Sequence, residues 1–172
     1  MAKVRWLGSF FRFLCLGVAD AALDNKQMKE PQVNYVKSAR LVKVVDGDTL
    51  RVIIDLGWNV KLQADIRLSR VNAPESRGYE REAGQYVTQQ VVGWISERQL
   101  RCPEIIIHSL DFSSGKFGRA IAEVWVDGEC LNDFLLEKKL AWEIDKNGKQ
   151  SGLRDIMSLD IPESIRDKFG KE

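Results

Sequence analysis

This sequence predicts a mainly-β α+β domain: a five-stranded Greek-key barrel of the OB type with about three helices. Three observations point there. Along residues 60–69, Val60, Leu62, Ala64, Ile66 and Leu68 interleave with Lys61, Gln63, Asp65, Arg67 and Ser69; that period of two marks a strand with one buried face. Short β-branched runs recur on both sides of one amphipathic helical stretch. The resulting order of three strands, helix, two strands, helix, helix suits a small closed barrel with an inserted helix. A length of 172 residues fits one domain with a sizeable core.

Residues 1–34 precede the domain expected at 35–172. Lys3 and Arg5 lead into an apolar run, and Ala19-Asp20-Ala21 has the small-x-small form of a cleavage site, as in a secretory signal. Arg12 splits the run and leaves residues 13–19 uninterrupted. That is at the short limit of about 7–15 residues for a signal core and below the roughly 20 needed to span a bilayer. Two readings stand: a signal peptide, implying a secreted or periplasmic protein, or a basic amphipathic helix on a cytoplasmic one. No membrane span is expected, and a monomer is.

The first strand covers residues 35–45 and ends in Leu41-Val42-Lys43-Val44-Val45. Asp46-Gly47-Asp48-Thr49 is a turn. Leu50-Arg51-Val52-Ile53-Ile54-Asp55 is the second strand, bounded by Leu56-Gly57-Trp58-Asn59. The third is residues 60–70, which Asn72 and Pro74 terminate. Ala83, Val87, Val91, Trp94 and Ile95 form an apolar stripe at helical spacing over residues 82–97. Ile105-Ile106-Ile107 opens a fourth strand, Ser113-Ser114-Gly115 is a loop, and residues 120–126 are a fifth strand closed by Asp127-Gly128. Leu131, Phe134, Leu135 and Leu140 mark a second helix. Pro162 opens a last one, to about Phe169.

Charge excludes a generally basic body. Net charge is +1, but residues 1–45 hold eight Lys/Arg against three Asp/Glu, leaving the remainder at −4. A broad nonspecific grip on nucleic acid is not indicated, so any phosphate contact must come from a few placed cations. Cys15, Cys102 and Cys130 match no zinc spacing; whether Cys102 and Cys130 pair is left open.

Several chemical groups stand out. Asp46 and Asp48 flank a tight turn, Arg67 ends the third strand, Asn72 and Glu75 follow on its loop, and Arg119 precedes the fifth strand. Singly, each has an ordinary structural reading: a hydrogen-bonded turn, a solvated arginine, a loop cap. Together they point to phosphodiester chemistry. Hard oxygen donors such as Asp48 and Asn72 suit Ca²⁺ or Mg²⁺, guanidinium groups clamp a phosphate by bidentate bonds, and a carboxylate beside them can take a proton from water.

Val44-Val45-Asp46-Gly47-Asp48-Thr49-Leu50, then Ile66-Arg67-Leu68 with Val71-Asn72-Ala73-Pro74-Glu75, then Lys116-Phe117-Gly118-Arg119, then Asp127-Gly128 with Leu131-Asn132, occur in that order. Over about residues 40–143 this resembles the staphylococcal nuclease (thermonuclease) family. The resemblance implies an OB barrel and Ca²⁺-dependent endonucleolytic hydrolysis of DNA and RNA that leaves 3′-phosphate ends. It implies Asp48, Asn72 and the backbone carbonyl of Ala73 as metal ligands, with Mg²⁺ as a possible substitute. Glu75 would activate water, and Arg67 and Arg119 would bind the scissile phosphate. Thr49 would sit beside the metal, and Asp46 would support the acidic turn. The chain departs from the family at Asn72, where the staphylococcal enzyme has Asp, so weaker or altered metal preference is expected. It also departs at Phe117, a tyrosine there, and at Asp145 and Asn147, which replace base-packing tyrosines. Trp142 is read as core, and Arg77 and Tyr79 as exposed loop. The rival readings are a non-catalytic OB module binding single-stranded nucleic acid, with Asn72 marking a decayed metal site, and a partner-binding domain that uses the basic N-terminal helix.

Overall fold

β1 (Val36–Asp46), β2 (Thr49–Gly57) and β3 (Val60–Leu68) form a meander, as three strands joined by short turns predict. The computed structural model describes residues 35–114, 119–145, 150 and 154–170, with the backbone alone for 110–114. The two readings of the N-terminal segment, and Phe117 and Asn147, lie outside the described residues. β1 and β2 are antiparallel, as are β2 and β3. After the two-residue β4 (Val71–Asn72), a 3-10 turn at Gly78–Glu80 leads into α1 (Arg81–Gln99). β5 (Ile105–Ser114) then pairs antiparallel with β1 and with β6 (Ala120–Val126). β6 lies parallel to β3, Ile66 opposite Ala120 and Leu68 opposite Ala122. That last pairing closes the barrel in the order β3-β2-β1-β5-β6, so none of the five strands is left with a fully open edge. β7 (Glu129–Cys130) leads to α2 (Leu131–Glu137), and β8 (Trp142–Glu143) pairs with β4. The last helix is the short α3 (Glu163–Arg166), capped by Pro162.

The barrel is filled by the apolar face of each strand. Leu50, Val52, Ile66, Leu68, Ile105 and Val124 are fully buried, and Val87, Val91 and Ile95 of α1 with Leu131 and Leu135 of α2 belong to the same core. Each such Leu, Ile or Val contributes about 1.5–3 kcal/mol by leaving water. A smaller cluster joins Ala83, Trp142, Ile156, Leu159 and Ile161, so Trp142 is core, as read from the sequence.

Three expectations need correction. The 60–69 alternation is buried only at its end: Val60 and Leu62 are 53% and 49% exposed. β2 and β3 pair out to Gly57 and Val60, whereas β6 covers only Ile66, Arg67 and Leu68. The hairpin therefore projects past the barrel, with Trp58 and Asn59 at positive φ on its tip. Ser113 and Ser114, expected in a loop, extend β5. The final helix stops at Arg166. Cys102 and Cys130 are both free thiols.

Candidate active site

Gly47 and Asp48 make the β1–β2 turn, with Asp46 opposite Thr49. A Cβ on Gly47 would lie 2.8 Å from Ala73 Cβ and from Val87 Cγ1, so a residue without a side chain is needed there. That close approach seats the turn against the strand end and α1. Asp48 is thereby 97% buried, at 3% exposure, and the buried carboxylate is fully engaged. Its Oδ1 accepts from Arg67 Nη1 at 2.7 Å and from the Thr49 hydroxyl at 3.0 Å. Its Oδ2 accepts from the Ala73 N–H at 2.9 Å. Burial pushes the Asp48 carboxyl above its ordinary value of 3.8, against the lowering pull of Arg67, the Ala73 N–H and the Thr49 hydroxyl.

A raised pKa means that folded Asp48 holds its proton more readily than the unfolded chain does. In the interval from 3.8 up to the folded value the native state binds more protons, so Asp48 lowers stability as pH rises through that interval. Asp48→Asn removes the titrating group. In calcium-free buffer, the Tm difference between parent and variant should therefore move against the parent as pH rises from 3.8. A difference flat in pH would contradict this.

Arg67 lies opposite Thr49 across β2–β3, and Asp65 lies opposite Arg51; all four share the sheet face turned away from the barrel core. Arg51 grips Asp65 through two bonds of 2.7 and 2.9 Å. Arg67 Nη2 donates to Asn72 Oδ1 at 2.8 Å, and Asn72 Nδ2 donates to Gln150 Oε1 at 3.2 Å. One guanidinium thus ties the turn to the strand end. Arg119 stands one residue before Ala120, the partner of Ile66, which puts it level with Asp65. Its charge is among those holding the Asp65 carboxyl below the ordinary range, after the Arg51 hydrogen bond.

Glu75 is exposed, and its position is bracketed. Two residues earlier Ala73 is tied to Asp48, and one residue later Ser76 donates through its N–H (3.2 Å) and its hydroxyl to Asp46 Oδ1. Asp46 therefore holds the Glu75 segment. Ser76, read from the sequence with residues 77–79 as a loop that could touch substrate, instead anchors that loop; Asn132, read only as part of a motif, is fully buried. Asn132 Nδ2 donates to the Ser69 carbonyl at 2.8 Å, and its Oδ1 accepts from the Val124 N–H at 3.1 Å, fixing the chain just upstream of Asn72. Its place after Asp127-Gly128 in the motif was the available signal. Arg77 and Tyr79 are exposed, as expected, with Tyr79 edge-on to Phe169.

Among the described residues no three His, Cys, Asp or Glu side chains gather as a metal cluster. The oxygens that do converge are Asp48 Oδ1 and Asn72 Oδ1, both on one cationic group, Arg67. They are hard donors, which fits a hard divalent cation, and one charge between them fits a modest affinity.

An OB barrel with carboxylate, amide and guanidinium groups set at one strand end is the framework of a nuclease-type domain. A family model described as Staphylococcal nuclease homologue matches residues 65–160, more than half of the chain, and the chain belongs to that family. The match begins after the Asp46–Thr49 turn. The chain is 25% identical over 138 residues to Staphylococcal-like nuclease CAN1 of Arabidopsis thaliana, covering 79% of this chain and 39% of that one. It is 25% identical over 118 residues to Protein ParB of Escherichia coli, covering 63% and 58%. The chain thus spans less than two thirds of either relative. No helix among the described residues is long and apolar enough to cross a membrane.

Proposed function

We propose that residues 35–172 form a Ca²⁺-dependent nuclease domain that hydrolyses DNA and RNA to 3′-phosphate products. The observation that carries the reading is the hydrogen-bonded set Asp48–Arg67–Asn72, with Ala73 on Asp48 and Glu75 bracketed beside it. Asp48, Asn72 and the Ala73 carbonyl would hold the cation, which when bound polarises phosphate oxygens and water. Glu75 takes a proton from the attacking water. The new bond forms from water oxygen to phosphorus, the bond from phosphorus to the 5′-oxygen breaks, and that oxygen leaves with a proton from solvent. Arg67 and Arg119 hold the phosphate and stabilise the charge that develops on it. A guanidinium has five N–H groups, so the bonds to Asp48 and Asn72 leave Arg67 donors for a phosphate.

Asn72→Asp restores a second carboxylate to the donor set and is expected to tighten Ca²⁺ binding about tenfold or more, since ligand charge tunes such affinities over decades. Isothermal calorimetry checks this; unchanged affinity would remove Asn72 from the ligand set. The neutral amide also favours a second reading, in which the barrel binds single-stranded nucleic acid without cleaving it. Metal-independent binding with no turnover would mark that case.

A further inference from the structure

The segment that carries Glu75 is anchored from several sides. The Glu75 N–H donates to Glu80 Oε2 at 2.9 Å, and the same oxygen accepts from Arg154 Nη2 at 2.5 Å. Ser76 is tied to Asp46 through its N–H and its hydroxyl. Thr88, on α1, has its hydroxyl 3.2 Å from the Ser76 hydroxyl and 2.8 Å from the Gly84 carbonyl. The helix meets the loop at Gly84, where a Cβ would lie 2.4 Å from the Glu75 carbonyl carbon and oxygen and 2.6 Å from Ser76 N. Only glycine permits an approach that close. Among the described residues no hydrogen bond or ion pair holds the exposed Glu75 carboxylate itself, so its aim is set through its backbone.

We propose that α1, Asp46 and Glu80 form a mount for this backbone, with Ser76, Thr88, Gly84 and Glu80 as positioning residues for the water-activating carboxylate. The proposal rests on the nuclease reading above. A general base works only within hydrogen-bond reach of its water, and a displacement of about 1 Å costs up to about 100-fold in rate. Gly84→Ala forces a shift of that size, since the 2.4 Å approach must open toward an ordinary 3.4 Å contact. The two acidic residues of the turn then divide the work: Asp48 faces Arg67, and Asp46 holds the loop.

The test uses the full chain with single-stranded DNA and Ca²⁺. Thr88→Val and Ser76→Ala are made alongside Gly84→Ala, in case the last does not fold. The expected result is a kcat lower by about 10- to 100-fold with KM little changed, recovered in Thr88→Ser. Amide exchange at Glu75 and Ser76, read by NMR, should be slow in the parent and fast in Thr88→Val. Placed in a Glu75→Gln background, Thr88→Val should cost nothing further, because the two changes disable one device. Parental kcat in folded Thr88→Val and Ser76→Ala, with an active parent, overturns the mount alone. A parent that does not cleave overturns the nuclease reading and the mount with it.

Discussion

Glu75→Gln is expected to lower the cleavage rate by about 100- to 10,000-fold, the range for losing a general base, while the protein stays folded. The two halves of that expectation have separate grounds. The amide keeps the shape of the side chain but cannot accept a proton from water at neutral pH. Glu75 is exposed, and its backbone contacts to Glu80 and to the anchored Ser76 do not involve the carboxylate. A surface change of this kind shifts stability by about 0.5 kcal/mol or less, or about 1–2 °C in Tm for a domain of this size. Single-turnover cleavage and a thermal melt on one preparation check both halves. Parental turnover in the variant would remove Glu75 from the mechanism.

Arg119→Ala is expected to lower kcat/KM by about 100- to 1,000-fold, the loss typical of a group aimed at developing charge. Most of that should appear in kcat, because the interaction strengthens as negative charge builds on phosphorus. Arg67→Ala differs in kind. It also removes the cation paired with a carboxylate that is 3% exposed, so it should cost fold stability as well, about 1–3 kcal/mol for the lost charged hydrogen bond, the Thr49 hydroxyl and Ala73 N–H remaining on Asp48. Kinetics and melting curves for the two variants separate the roles. Equal stability loss in both would mean that Arg119 is chiefly structural, and parental kcat/KM in Arg119→Ala would exclude it from the site.

How much of this was legible in the sequence depended on range. The β-branched run of β2, the period of two in β3 and the stripe Ala83, Val87, Val91, Trp94 and Ile95 are local signals, and all five stripe residues are buried. The protruding end of the β2–β3 hairpin was not legible, because burial of Val60 and Leu62 depends on where β6 stops pairing. The tie of Asp48 to Arg67 spans 19 residues and that of Asp46 to Ser76 spans 30. Such bonds exist only once the barrel has closed, so periodicity and spacing hold no trace of them. Gly84 shows the same limit: in sequence it is a mild helix weakener, and in the fold it is where helix and loop touch.

The central claim is tested most directly by cleavage of single-stranded DNA and RNA by the full chain, with Ca²⁺, with Mg²⁺ and with EGTA, alongside Glu75→Gln. The account predicts cleavage that needs Ca²⁺, stops in EGTA, leaves 3′-phosphate ends and is lost in the variant. A folded protein that binds single strands equally well in EGTA and cleaves with neither metal would contradict it.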